Sequence, residues 1–198
     1  CGSRQDHLHH LRLCLEFCRP ARLSLNPAKY AFGVTSGALL GHIVSNEAIA
    51  VDPGKIYAII KTPTPKNAKA LGWFLGQIRW HKQMIRHLAD FASPLHATVH
   101  KTPFRWIETE DKAYEALKIM LMQAPVVQPR IGHDRSKFLW TPKASNIAIG
   151  SALMQHTDPN WYKLVYYSSR KLSTAEHNYS TKEREALGMI YHINKFRH

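Results

Sequence analysis

Residues 147–168, IAIGSALMQHTDPNWYKLVYYS, carry the clearest strand pattern in this chain. Two apolar runs, 147–155 and 162–168, predict strands, and the residues between them, 156–160, favour a turn. A further strand is predicted over 138–141. Ser180 followed three residues later by Glu183 is typical of the capping box that begins a helix. The back half is therefore predicted to contain strands followed by a helix.

The front half is predicted to be largely helical. Helices are predicted over 7–18, after Asp52-Pro53, over 68–88 behind an Asn67 cap, and from a Thr109 cap to Ala124-Pro125. Strands at 30–34 and 38–45 are predicted to pair around Ser36-Gly37. The apolar stripe that should enter the core is Leu71, Phe74, Leu75, Ile78, Ile85 and Leu88. The fold class is thus α+β, with predicted domains at 1–100 and 101–198.

Composition narrows the function classes. Lys and Arg number 27 against 14 Asp and Glu, a net charge of +13 spread over both halves of the chain, which favours a nucleic-acid partner. No apolar run is long enough to span a membrane. The odd number of cysteines, three, argues against a disulfide framework and for a reducing compartment, cytoplasm or nucleus. His10, Cys14 and Cys18 share a helical face, but three residues without a fourth ligand favour packing over zinc.

A series of short motifs, in order, resembles the pol polyprotein of gypsy-type LTR retrotransposons. The segments are Leu23-Ser24-Leu25-Asn26-Pro27, Leu40-Gly41-His42-Ile43, Val51-Asp52-Pro53-Gly54, Phe74-Leu75-Gly76, Phe91-Ala92-Ser93-Pro94-Leu95, Ala124-Pro125-Val126-Val127, Tyr167-Ser168-Ser169-Arg170-Lys171-Leu172 and Asn178-Tyr179-Ser180. The resemblance implies the end of a reverse transcriptase palm with a small β-hairpin, a helical thumb, and a C-terminally truncated ribonuclease H-like mixed α/β domain.

The resemblance also implies a nucleic-acid surface. In that family the hairpin matching 40–45 grips the primer end, and the helix matching 68–88 follows the template–primer minor groove. From the residues themselves, Gly76 permits close approach, the two tryptophans offer flat apolar area, and the arginines and lysine can neutralise phosphates. The candidate contacts are Gly41, His42, Trp73, Gly76, Gln77, Arg79, Trp80, Lys82 and Arg86. Packing in the core or against a neighbouring domain is the alternative role for the tryptophans, and packing is favoured for His42.

The catalytic carboxylates of the family are largely missing. Polymerases and ribonucleases H of this family hold Mg²⁺ through Asp and Glu side chains. No Asp-Asp pair occurs in the chain, and the Asp expected in the ribonuclease H motif is Lys143. Glu185 matches the family's helical Glu, with a solvated surface carboxylate as its alternative interpretation, and the next family Asp would follow His198. We therefore expect no metal to be held here.

Three functions remain open at this stage. We prefer a retrotransposon-derived fragment that is catalytically inactive and binds an RNA–DNA hybrid or template–primer, with no membrane partner. The second is a connection-like structural module that packs on a polymerase, which makes the rest of the pol polypeptide its partner. The third is a residual metal-dependent ribonuclease H acting through Glu185.

Overall fold

The computed structural model describes residues 4–129, 138–158 and 161–196, and the chain divides into two compact units, Cys1–Val34 and Thr35–His198. In the first unit, α1 spans Arg4–Cys18, which confirms the predicted helix. A short 3₁₀ turn, Pro27–Lys29, follows, with the Asn26 side chain accepting the Ala28 N–H at 3.1 Å. The strand predicted over 30–34 is wrong. Gly33 adopts a φ of +66°, which interrupts the extended run.

The second unit begins with a small antiparallel sheet of β1 (Ser36–Leu39), β2 (His42–Ser45) and β3 (Ile49–Val51). The hairpin predicted around Ser36-Gly37 is wrong, because the turn is the two residues Leu40-Gly41. Their φ angles are +50° and +80°, as a two-residue primed turn requires. Gly41 suits that geometry, but a leucine carries no such signal, so the sequence misplaces the turn.

Four helices follow: α2 (Pro53–Ile60), α3 (Ala68–Trp80), α4 (Leu88–Val99) and α5 (Glu108–Met122). Two predicted caps are confirmed. The Asp52 carboxylate accepts the Gly54 N–H at 2.9 Å, and the Asn67 side chain accepts the Ala70 N–H at 2.8 Å. Each satisfies a backbone donor that has no partner within its helix.

The single helix predicted over 68–88 is wrong beyond Trp80. The chain leaves the helix at His81, and His87 adopts the left-handed conformation with a φ of +54° before α4 begins. The apolar spacing continues through this break, which is why periodicity alone joins the two parts. The predicted stripe is nevertheless confirmed, since all six residues are buried.

The apolar core of the second unit runs from Val51 to Val127 and is built from α2 to α5 and β3. Its largest fully buried side chains include Phe74 and Tyr114, whose ring centroids lie 4.3 Å apart. Beyond α5, Val127 exchanges two backbone hydrogen bonds with Ile49 in β3, and the Gln128 N–H donates to the Leu164 carbonyl at 2.8 Å. The division predicted at residue 100 stays a prediction.

The cap predicted at Thr109 is wrong. Ile107 precedes α5 and supplies no capping side chain. Glu110 lies in the first turn of α5, near the positive helix end as expected, but it is buried and accepts a hydrogen bond from the Thr98 hydroxyl of α4 at 2.7 Å. A buried charged group at this spacing looks like an ordinary first-turn acid in the sequence.

The second sheet confirms the predicted strands, each longer than expected. It consists of β4 (Phe138–Ala144), β5 (Ala148–Asp158) and β6 (Trp161–Lys171), all antiparallel in that order. Two residues of the predicted turn, Pro159 and Asn160, lie outside the described residues. The helix α6 (Thr181–Phe196) packs on one face, and its predicted capping box is confirmed by hydrogen bonds in both directions between Ser180 and Glu183.

Among the described helices, none combines the length and apolarity that crossing a membrane needs. Cys14 and Cys18 in α1 are both free thiols, Cys14 being exposed.

Candidate nucleic-acid groove

The β1–β2 hairpin and the C-terminal end of α3 enclose an open groove of about 560 Å³. The Trp80 indole N–H donates to the Leu40 carbonyl at 2.7 Å, which fastens the hairpin tip to the helix. That indole nitrogen lies 3.7 Å from where a side chain at Gly41 would begin. The hairpin and the helix therefore present one continuous surface.

Both candidate tryptophans are exposed on α3, Trp73 by 52% and Trp80 by 56%. Neither belongs to the core of the described chain. Of the two packing alternatives, only packing against a neighbouring domain therefore remains. A Cβ placed on Gly76 would meet nothing within 4 Å. No neighbour in the described chain requires a glycine there, and the helix backbone at Gly76 is open to solvent.

Two cations line the groove, Arg79 and Lys82. Both are exposed, and across the described ranges neither forms an ion pair. A flat aromatic face beside unpaired guanidinium and ammonium groups suits a ligand with phosphates and stacked rings.

His42 forms part of the groove wall but is buried, and its Nε2 lies 3.2 Å from Nδ1 of the buried His81. Burial, together with the nearby His42 and Lys55, lowers the pKa of His81 to about 4. His81 is therefore neutral at pH 7, and the pair holds β2 against the end of α3. This packing agrees with the role that the sequence favours for His42.

The structure brings only part of the candidate set together. His42, Gly76, Arg79, Trp80 and Lys82 line the groove, and Gly41 adjoins it at the hairpin tip. Trp73 and Gln77 lie on α3 outside the groove lining. Arg86 lines a different, smaller cavity of about 120 Å³ together with Lys143.

Lys143 lies in β4 and pairs with Gly150 of β5. Its side chain faces α4, where it lines cavities with Arg86 and His87. Burial, then Arg86, then Lys143 lower the pKa of His87, although Asp90 opposes them. Asp90 is the one carboxylate lining these cavities in the described chain. It accepts the Ser145 hydroxyl at 2.8 Å and lies 3.6 Å from His87.

Glu185 lies on α6, which covers the opposite face of the sheet. Gly188 of that helix contacts Ile149, and the His192 ring lies 6.4 Å from Trp140. Alternation along a strand places Trp140 and Lys143 on opposite faces. Glu185 is exposed, and its neighbour Arg184 donates to the Asn146 side chain in the β4–β5 turn.

This geometry does not fit a divalent metal pair. Lys143 and Arg86 place two positive charges beside one face of the sheet, and Glu185 lies on the helix that covers the other face. In the part of the chain that the structure describes, no three His, Cys, Asp or Glu residues are grouped to bind a metal ion.

Several residues of the groove have no signal in the sequence. Leu39 and Gln83 line it, Leu40 supplies the carbonyl that holds Trp80, and His81 supports it from beneath. The Trp80–Leu40 hydrogen bond and the His42–His81 contact each join residues about 40 positions apart. Local patterns cannot reveal such pairings.

Comparisons with known proteins find similar proteins over most of the chain. Residues 106–198 match the model of the RNase H-like domain found in reverse transcriptase. The retrovirus-related Pol polyprotein from transposon 297 of Drosophila melanogaster is 32% identical over 200 residues, covering 99% of this chain and 18% of that protein. The transposon Tf2-3 polyprotein of Schizosaccharomyces pombe is 30% identical over 198 residues, covering 99% and 15%. The chain thus spans less than a fifth of the length of these relatives.

Solved structures show the same fold. The foamy viral protease-reverse transcriptase in complex with RNA/DNA hybrid superposes with a TM-score of 0.77 at 15% identity, over 98% of this chain and 26% of that one. The same enzyme in complex with dsDNA gives a TM-score of 0.77 at 16% identity, over 98% and 40%.

Proposed function

We propose that this chain is a nucleic-acid-binding fragment without nuclease activity. The premise is that residues 106–198 belong to the RNase H-like domain family of reverse transcriptases, and that the homologues of the chain are retrotransposon pol polyproteins. The ligand is an RNA–DNA hybrid or template–primer duplex that lies in the groove between the β1–β2 hairpin and α3. The ribonuclease H-like half serves as a scaffold.

The exposed Trp80 carries the proposal. A tryptophan usually buries most of its large side chain. Trp80 is instead 56% exposed, while its indole N–H donates to the Leu40 carbonyl. The indole face is thereby kept in a fixed orientation beside Arg79 and Lys82. A preorganised ring next to two unpaired cations is the arrangement that stacks on a nucleotide and neutralises its phosphate. The structural neighbours support this ligand class, since they are enzymes in complex with RNA/DNA hybrid and with dsDNA.

Fluorescence anisotropy with a labelled RNA–DNA hybrid tests the proposal. Trp80→Ala should weaken binding by about tenfold, because a stacked base contributes about 1–3 kcal/mol. Trp161→Ala is the matched control, since Trp161 is 69% exposed and lies outside the groove. Equal losses for both variants, or none for Trp80→Ala, would contradict the groove as the binding site.

The absence of nuclease activity rests on Lys143. An ammonium group beside Arg86 repels a divalent cation and offers it no lone pair. We expect no cleavage of a labelled hybrid in Mg²⁺ or Mn²⁺ at enzyme excess. Metal-dependent cleavage that Glu185→Ala abolishes would restore the ribonuclease H alternative.

An exposed apolar face on α6 favours the structural module as a second candidate. Met189, Ile190 and Ile193 are 45%, 61% and 56% exposed, and their spacing puts them on one side of the helix. Sedimentation with a separately expressed palm-containing segment tests this. A complex that Ile193→Ser dissociates would support the module, and monomeric behaviour at micromolar concentrations would count against it.

A further inference from the structure

A further cavity lies between the helices α3 and α4 on one side and β6 and α6 on the other. Its volume is about 330 Å³, within the range of pockets that take small ligands. The floor is formed by buried apolar residues, among them Leu75, Ile78 and Ala92, and three tyrosines line the walls: Tyr166, Tyr167 and Tyr191. Apolar and aromatic walls of this kind suit a flat ring.

The rim of this cavity is strongly positive. Arg79, Lys82, Lys171 and Lys195 line it, and no Asp or Glu is among its described lining residues. Judged on the described residues, none of the four is held in an ion pair. The fifth cation, Arg170, is occupied, because it donates to both Glu176 oxygens at 2.9 and 3.0 Å. Four uncompensated charges around one small space favour an anionic ligand.

The positive charges of the rim also act on His96, which lines the same cavity. Partial burial, followed by the charges of Lys171 and Arg79, lowers the pKa of His96. Its imidazole is therefore neutral at pH 7 and can donate or accept a hydrogen bond within the cavity.

We propose that this cavity binds a single nucleotide unit, with the phosphate at the lysines of the rim and the base against the tyrosines. Inorganic phosphate would leave the apolar floor unfilled, whereas a nucleoside would leave the cations unpaired. Because Arg79 and Lys82 line both this cavity and the groove, the nucleotide is either free or the 5′-phosphorylated end of a strand. Only the strand-end source rests on the proposed function.

Isothermal titration of the full chain with AMP, adenosine and inorganic phosphate tests the chemistry. AMP should bind at least tenfold more tightly than either of the other two. Lys171→Gln and Lys195→Gln should each weaken AMP binding severalfold, while Lys69→Gln, an exposed lysine of α3 outside the cavity, should not. The proposal is overturned if AMP and adenosine bind equally, if AMP does not bind, or if Lys69→Gln has the same effect as Lys195→Gln.

Oligonucleotides with and without a 5′-phosphate distinguish the two sources. If the phosphate strengthens binding and Lys195→Gln removes that gain, the cavity takes a strand end. If the oligonucleotides bind alike while AMP binding still depends on Lys195, it takes a free nucleotide. Lys171 and Lys195 do not line the groove. Suppose that Lys171→Gln and Lys195→Gln weaken AMP binding as expected, but Trp80→Ala has no effect on hybrid binding. This result would contradict the proposed function and leave the nucleotide cavity supported.

Discussion

A substitution at Gly76 is expected to change stability and nucleic-acid binding in opposite directions. A glycine inside an exposed helix costs about 0.5–1 kcal/mol relative to alanine, and a Cβ here has open space around it. Gly76→Ala should therefore raise the free energy of unfolding by about that amount yet weaken hybrid binding severalfold, since the methyl group would block close approach. Urea denaturation and fluorescence anisotropy measure the two effects.

Gly72→Ala is the stability match for this variant. Gly72 lies one turn earlier on α3, is exposed, and also has no atom within 4 Å of its Cβ position. The Gly72→Ala variant should gain the same stability while keeping the wild-type affinity for the hybrid. Full affinity in Gly76→Ala would show that no ligand approaches the helix backbone there.

His81 gives the fold a dependence on acid pH. Its pKa falls from 6.5 to about 4 in the folded chain, so the unfolded state binds the proton more readily. The stabilising contribution is complete above pH 6.5 and is lost as pH falls toward 4, up to about 3 kcal/mol. Denaturant midpoints measured across this window should fall less steeply in His81→Gln than in the wild type.

Glutamine cannot take up a proton in this pH range, so His81→Gln removes the titration of residue 81. Parallel profiles for the wild type and His81→Gln would mean that His81 does not titrate differently on folding.

At the scale of elements, Glu110 joins α4 to α5. One oxygen accepts the Thr98 hydroxyl at 2.7 Å and lies 3.4 Å from Lys101. Burial opposes ionisation, but these hydrogen bonds dominate and lower the pKa of the carboxyl group. Glu110→Ala should destabilise the chain by about 2–3 kcal/mol, because it removes the hydrogen bond that the buried Thr98 hydroxyl donates to a charged carboxylate.

Glu108→Ala, on the same helix, is the matched control. Glu108 pairs with Lys112 at the exposed surface, and such pairs contribute about 0.3–0.5 kcal/mol. Similar melting temperatures for the two variants would contradict a structural role for Glu110.

The elements that the sequence predicts correctly have local causes. Asp52 and Asn67 cap helices two or three residues away, and Ser180 pairs with Glu183 within one turn. The elements it misplaces depend on distant contacts or unusual backbone angles. The hairpin turns at Leu40, which Trp80 holds from 40 residues away, and the break after α3 depends on the left-handed His87. In the same way, the sequence supplies Gly76, Arg79 and Trp80 as site residues but not the carbonyl and the histidine that position them.

At the scale of the whole molecule, the charge of +13 raises the question of whether binding is localised or a diffuse attraction to any polyanion. Each phosphate that a protein cation neutralises releases counterions, so log K falls with log salt by about 0.9 per contact. If Arg79 and Lys82 contact phosphates, Arg79→Gln should reduce this slope by about 0.9, and the double variant with Lys82→Gln by about twice that.

Lys66→Gln and Lys69→Gln remove the same charge from exposed positions outside the groove. They should leave the slope within error of the wild type, measured by anisotropy at pH 7.5 between 50 and 300 mM KCl, approximately the range in which such contacts weaken most. If the single variants Arg79→Gln, Lys66→Gln and Lys69→Gln all flatten the slope equally, the attraction belongs to the net charge and not to the groove. A difference confined to Arg79 and Lys82 would locate the phosphate contacts beside Trp80, whose ring the hairpin holds through the Leu40 carbonyl.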